Sequence, residues 1–254
     1  MWHDVKLLNA TTNTLLGLLL LALLGSGAWW LAQRPMFTLK VIRIEGAGGE
    51  PLRHVNAATI RNAALPHIRG NFFTADLDAV RAAFESVPWV RRASVRREWP
   101  NKLVVTLDEH VALGTWGQDG QLLSARGDVF TANLAEAEED RQLLAFAGPQ
   151  GSAQEVEQRY RDLKRWFAPV GVKPEAVTLS GRYAWSVKLD NGIVVELGRE
   201  QNPSMLQDRV ARLVSVYPKL MERLQNRIES VDMRYPNGLA LKAEGLALGN
   251  KGKK

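Results

Sequence analysis

Between Lys6 and Arg34 the chain carries no Asp, Glu, Lys or Arg, and Leu15 to Ala32 (LLGLLLLALLGSGAWWLA) is almost wholly apolar. At about 1.5 Å rise per residue, roughly 20 residues of helix cross a hydrocarbon core of about 30 Å. The uncharged window is long enough to span. Trp29 and Trp30 stand at its far end, where indoles favour the membrane–water boundary. Polar Thr11, Thr12, Asn13 and Thr14 precede the apolar run, so the span is expected over residues 15–33, with residues 1–14 leading into it. Nothing later resembles a second span, which predicts one anchor carrying about 220 residues of water-soluble chain.

A cleaved secretory signal is the alternative, because Ser26 and Ala28 have the offset of a signal peptidase site. Against it, Lys6 is offset by Asp4, and a cut after Ala28 leaves two tryptophans at the new terminus. An uncleaved anchor is the better reading. Charge does not settle its orientation: Lys6 precedes the span, while Arg34, Lys40 and Arg43 follow it, and long domains translocate regardless of such counts.

Charged residues at 24% and hydrophobic residues at 46% describe an ordinary globular chain. The net charge of +6 suggests an acidic partner, anionic lipid or nucleic acid. Part of the excess is local, in Arg91, Arg92, Arg96, Arg97 and Lys102 and in the tail lysines Lys251, Lys253 and Lys254. A solvated surface is the simpler account of both clusters. No helix-turn-helix, zinc-finger or aromatic RNA-binding signature is present, which argues against nucleic acid. Cysteine is absent, so neither disulfides nor thiolate metal sites arise.

The usual catalytic constellations are missing too: no GxSxG, Ser-x-x-Lys, HExxH, Walker loop or GxGxxG occurs. His3 lies before the span, and His54, His67 and His110 are widely separated. Glu109 and His110 are neighbours on an expected strand and would point to opposite faces. The sequence predicts no enzyme, no catalytic residue, no cofactor, no metal and no small-molecule substrate.

Periodicity organises the rest. FTLKVIRIEG (37–46) reads as a strand, with Phe37, Leu39 and Val41 on one face and Ile42 and Ile44 on the other. A helix is expected over Val55–Leu65, ending before Pro66. Asp76 caps a second, on which Leu77, Val80, Phe84 and Val87 form a core stripe. Strands Ala93–Trp99 and Leu103–Glu109 follow, joined at Pro100-Asn101-Lys102, with Trp99 and Phe84 both expected in the core. This β-α-α-β-β order makes a small α+β domain.

Short strands are then expected at Leu113–Trp116, Leu122–Ser124 and Val129–Thr131, and a loop or solvated helix at 133–141. Ser152 with Glu155 has the form of a capping box before a helix burying Val156, Tyr160, Leu163 and Phe167. Strands Ala176–Leu179, Trp185–Leu189 and Ile193–Leu197 come next, the last two joined by Asp190-Asn191-Gly192. Asn202 and Pro203 open a helix whose stripe is Leu206, Val210, Leu213, Tyr217 and Leu220, with Pro218 expected to kink or shorten its end. Strand Ile228–Tyr235, a Pro236-Asn237-Gly238 turn and strand Leu239–Lys242 close the fold before a loose tail.

Residues 95–116, VRREWPNKLVVTLDEHVALGTW, resemble the end of the polypeptide-transport-associated (POTRA) domain in the FtsQ/DivIB family of bacterial cell-division proteins. Trp99, Pro100, Leu103, Val105, Leu107, Glu109 and Trp116 carry the match. Further similarity lies in GNFFTADLDAVR (70–81), VPWVRRASV (87–95), SARGDVF (124–130), LDNGIVVELGR (189–199), the 206–220 helix and VDMRY (231–235). The resemblance implies a single-pass inner-membrane protein with a cytoplasmic amino terminus and a periplasmic bulk, concentrated at the division septum. It implies a POTRA domain at 37–109 and a β domain at 110–243; the flexible basic tail at 244–254 is read from the residues alone, and the resemblance gives its lysines no role. It also implies non-catalytic assembly of the division machinery, linking early and late proteins by binding FtsB and FtsL, with other division proteins meeting the POTRA domain.

FtsB binding would fall on Arg182, Arg234, Tyr235, Gly238, Leu239, Ala240 and Leu241. The last strand has no later element to pair with, and an extended partner segment can add to such an edge. From the residues alone Arg234 reads as solvated and Tyr235 as covering the core; the resemblance reverses that. A periplasmic POTRA-containing component that binds or transports polypeptides is the competing function, and a cell-wall enzyme a third.

Overall fold

The computed structural model describes residues 5–140, 142–224, 227–236 and 238–243. The tail at 244–254 and Asn237 of the last turn lie outside them. The chain divides into two compact units at Glu109 and His110.

The first unit opens with α1, Val5–Ala32, of which Leu8–Ala32 is long and apolar enough to cross a membrane. It begins well before Leu15 because the threonines do not interrupt it. The hydroxyls of Thr11 and Thr12 donate to the Leu8 carbonyl and that of Thr14 to Ala10, each at 2.8 Å, so their polarity is satisfied inside the helix. After it come β1 (Val41–Gly46), α2 (Ala57–Ala63), α3 (Leu77–Glu85), β2 (Val90–Glu98) and β3 (Lys102–Glu109). The strand at 37–46 is shorter than its alternation suggests, because Pro35–Phe37 forms a 3-10 turn instead. Helix α2 is bounded by Asn56, whose side chain accepts from the Thr59 amide, and Pro66 sits in a separate 3-10 turn.

Strand β3 lies at the centre of this sheet, parallel to β1 and antiparallel to β2. Leu103, Val105 and Leu107 are buried, as is Val104 on the opposite face. Val104 has Arg43 and Arg96 as cross-strand neighbours, and aliphatic arginine stems cover such a position while their heads stay wet. Asp76 caps α3 by accepting from the Asp78 and Ala79 amides, and Phe84 is fully buried. Trp99 is not in the core: it is 71% exposed. Strand β2 stops at Glu98, and the alternation that would have turned Trp99 inward stops with it. Glu109 accepts from the amides of Arg53, His54 and Val55 at 2.7–3.1 Å, which sews the loop before α2 to the end of β3.

The second unit is built on β4 (Ala112–Trp116), β5 (Gln121–Ser124), β6 (Val129–Phe130), α4 (Leu134–Asp140), β7 (Leu144–Ala147) and α5 (Ala153–Phe167). Then come β8 (Pro174–Leu179), β9 (Ala184–Leu189), β10 (Val194–Arg199), α6 (Met205–Leu224), β11 (Ile228–Asp232) and β12 (Ala240–Ala243). They make one nine-stranded sheet ordered β12-β11-β10-β9-β8-β7-β4-β5-β6. Period-two burial puts Val177 and Leu179, Trp185, Val187 and Leu189, and Val195 and Leu197 into the core. Helix α5 packs on β7 and β8 and α6 on β10, bringing Val156, Leu163, Phe167, Leu206, Val210, Leu213 and Tyr217 onto that face.

Four local expectations change here. Strand β7 was not foreseen, and it is what joins β4 to β8 by parallel pairing on both sides. Ser152 does not form a capping box: its hydroxyl donates to the Pro149 carbonyl at 2.7 Å, and its ψ of 4° is not the extended conformation a cap needs. Helix α6 starts at Met205, with the Ser204 carbonyl accepting from the Asp208 amide, so its start falls later than Asn202-Pro203. Pro218 does not end it, since the helix runs on to Leu224 around an exposed ring.

Candidate functional site

Register gathers the candidate residues at one end of the large sheet. Glu196 of β10 pairs with Asp232 of β11, which pairs with Ala240 of β12; on the other side, Gly198 and Arg199 of β10 pair with Trp185 and Ala184 of β9. The carboxyl ends of β10 and β11 therefore share an end with the starts of β9 and β12. Arg234 and Tyr235 leave β11 there, Gly238 and Leu239 enter β12 there, and Arg182 stands in the turn before β9. With neighbouring strands about 4.8 Å apart, the ends of β9 and β11 are separated by about 10 Å.

Strand β12 is the edge. It pairs with β11 alone among the described strands, so one side of its backbone has no ladder partner there. Leu239 and Leu241 pack against the core while Ala240 is exposed. Lys242 reaches back to Glu229 at 2.5 Å, and that bond pushes the ammonium pKa above its ordinary value. A charge on an edge strand blunts indiscriminate pairing.

Arg234 is not the idle surface residue that the sequence alone suggests. Its Nε donates to both oxygens of Asp232 at 2.9 and 3.0 Å, its Nη2 to Oδ2 at 2.6 Å and its backbone amide to Oδ1 at 3.0 Å. The Arg234 guanidinium thereby holds the Asp232 carboxyl below the usual carboxylate range. The guanidinium fork is occupied by the protein's own acid, which makes Arg234 a brace for the turn. Tyr235 does not cover the core either: it is 55% exposed, and a second exposed ring, Tyr183, stands in the turn before β9 at the same end of the sheet.

Two arginines that sequence reasoning passed over hold this end from behind. Arg212 of α6 donates from Nη1 to the Tyr235 carbonyl at 3.0 Å and to that of Gly238 at 3.5 Å. Arg209, one turn earlier on the same helix face, donates from Nη1 to the carbonyls of Leu197 (2.5 Å) and Arg199 (3.0 Å). Between them lies Gly198, at a bulge with φ +75°. A side chain there would start 2.8 Å from Arg234 Cγ, so glycine is needed both for the backbone and for the arginine that crosses it. The only sequence trace of these contacts is a pair of arginines at i and i+3 bordering the apolar stripe of α6, a pattern most surface helices share.

Residues 37–110 match the family described as POTRA domain, FtsQ-type, and residues 114–234 match Cell division protein FtsQ/DivIB, C-terminal. The whole chain is 52% identical to Cell division protein FtsQ of Burkholderia pseudomallei, with all of both chains covered. The chain belongs to the FtsQ family. FtsQ of Bordetella pertussis is 42% identical over 95% of this chain and 92% of its own, and FtsQ of Coxiella burnetii 30% identical over 94% of each. The three-stranded unit after the anchor is thus the FtsQ-type POTRA domain, and the nine-stranded unit holds the FtsQ/DivIB carboxy-terminal region. Membership makes this a cell-division protein, with an amino-terminal helix that fits a single-pass membrane protein.

Proposed function

We propose that this chain is a non-catalytic assembly protein of the division machinery, anchored in the inner membrane with its amino terminus in the cytoplasm and its bulk in the periplasm at the septum. It links early and late division proteins by binding FtsB and FtsL, and the POTRA domain meets further division proteins. The observation that carries this reading is the β12 edge, which pairs with β11 alone among the described strands, with Tyr235 exposed at its entrance. An extended FtsB segment adds to that edge as a tenth strand through main-chain hydrogen bonds, and side chains at alternate positions give it specificity. Gly238, Leu239, Ala240 and Leu241 provide the edge and Tyr235 a rigid ring with a polar tip. Arg182 borders the same end, and Arg234 braces the turn through Asp232.

The test is affinity for FtsB measured on the detergent-solubilised full chain. Tyr235→Ala should weaken binding by about 2 kcal/mol, roughly thirtyfold, while leaving the melting temperature unchanged. Deleting the chain from Leu239 onward should abolish binding, and Arg96→Glu in the POTRA domain should bind normally. Wild-type affinity in both Tyr235→Ala and the truncation would rule out the edge-addition mechanism.

A further inference from the structure

The POTRA domain carries an exposed tryptophan at a place its own core does not explain. Trp99 sits in the turn between β2 and β3, followed by Pro100 and Asn101. That turn is tied to the anchor by a short chain of hydrogen bonds. The Asn101 carbonyl accepts from the Lys40 amide at 3.1 Å. Arg97 Nε, two residues before Trp99, donates to the Phe72 carbonyl at 2.7 Å, and the Phe72 amide donates to Phe37 at 2.9 Å. Beside them, Asn71 Nδ2 donates to the carbonyl of Ala32, the last residue of α1, at 3.0 Å. The turn, the 71–74 loop and the end of the apolar helix therefore lie at one end of the first unit.

What this end displays is uniform in character. Met36 and Phe73 are exposed with Trp99, and Phe73 makes edge contacts with Phe37 and Phe72. Cations stand among them: Arg34, whose guanidinium lies 3.4 Å over the Trp30 ring, Lys40 and Lys102. The nearby acids are engaged by the protein, Glu98 with Lys102 at 3.7 Å and Asp76 with the first amides of α3. Exposed indole and phenyl rings mixed with Lys and Arg are the composition that settles into a headgroup layer.

We infer that this end of the POTRA domain docks on the membrane surface, with the Trp99 turn in the headgroup layer and Arg34 and Lys40 against anionic lipid. The inference rests on α1 spanning the bilayer. An anchor plus a second, interfacial contact fixes the domain's tilt against the membrane, which a single flexible attachment would leave free.

The absence of cysteine permits single-site labelling of the full chain. Leu20→Cys, Asn101→Cys and Glu50→Cys are each coupled to an environment-sensitive fluorophore and reconstituted into vesicles of phosphatidylcholine, with and without phosphatidylglycerol. Brominated lipids serve as quenchers. Glu50 follows the far end of β1 and reports the opposite end of the domain. The Leu20 probe should be quenched in all vesicles, the Asn101 probe quenched and blue-shifted, and the Glu50 probe neither. Lys40→Gln should lower the docked-to-undocked ratio about fivefold on anionic vesicles and leave it unchanged on neutral ones. Trp99→Ala should lower it on both, and because the ring is exposed it should not alter folding. A quenched Leu20 probe with an Asn101 probe that behaves like Glu50 overturns the docking and leaves the anchor intact. An unquenched Leu20 probe overturns the spanning reading and the docking with it. Burial of the Asn101 probe only after a division partner is added marks the surface as protein-binding and also overturns the proposal.

Discussion

Replacing Arg212 by Ala removes a clamp that no strand pairing supplies. The guanidinium holds the Tyr235 carbonyl at 3.0 Å and reaches the Gly238 carbonyl at 3.5 Å. A hydrogen bond from a charged donor contributes about 1.5–3 kcal/mol when both partners are withdrawn from water. Here the second contact is at the distance limit and adds little, and Tyr235 and its surroundings are exposed, so water replaces much of what is lost. Alanine is also the better helix former by a few tenths of a kcal/mol. The net cost is about 1 kcal/mol, felt at the turn and at β12 rather than across the unit. Amide hydrogen exchange on the full chain reads it directly. The β12 amides that donate to β11 should exchange about fivefold faster, while Val187 and Val195 in the central strands stay as protected as before. If FtsB adds to this edge as proposed, its affinity should fall by a similar factor, although Arg212 lies behind the edge. Wild-type exchange of those β11-bonded amides in Arg212→Ala would refute the claim that α6 holds the edge in place.

Phe84→Ala should destabilise the POTRA domain by about 3–5 kcal/mol in denaturant melts, because the ring is fully buried, whereas Trp99→Ala should shift the same transition very little. Glu109→Ala should cost about 2–3 kcal/mol, since the amides of Arg53, His54 and Val55 lose a charged acceptor; an unchanged midpoint would show that water serves them equally well. The Asp232 carboxyl is held low chiefly by its hydrogen bond from Arg234, so its contribution to stability is complete above the unfolded value of about 3.9 and is lost as the pH falls through the lower folded value. In a carboxyl-carbon NMR titration Asp232 should therefore titrate below the ordinary range, and Arg234→Gln should raise its midpoint; the same midpoint in both proteins would contradict the brace.

Much of this protein was legible in its linear order. The uncharged window before Arg34 marked the anchor, since membrane compatibility depends on composition over one continuous segment. The stripe of Val80 and Phe84, the alternation in β9 and β10 and the apolar face of α6 were readable because helix and strand periods are local properties of the chain. Position in the sheet was not. The run Leu144–Ala147 is too short to declare itself a strand, and it became one only because β4 and β8 offer it parallel partners on both sides. Trp99 alternated correctly with its neighbours and still lies outside the core, because the strand ends one residue before it. Ser152 had the spacing of a cap, and its hydroxyl found the Pro149 carbonyl instead. That β12 pairs on one side alone among the described strands follows its place in chain order, yet its bracing by Arg212, and the occupation of Arg234 by Asp232, came only with the fold. A strand's neighbours and an arginine's acceptors are chosen by which distant backbone groups packing brings within about 3 Å, and that choice belongs to the whole structure rather than to any window of sequence.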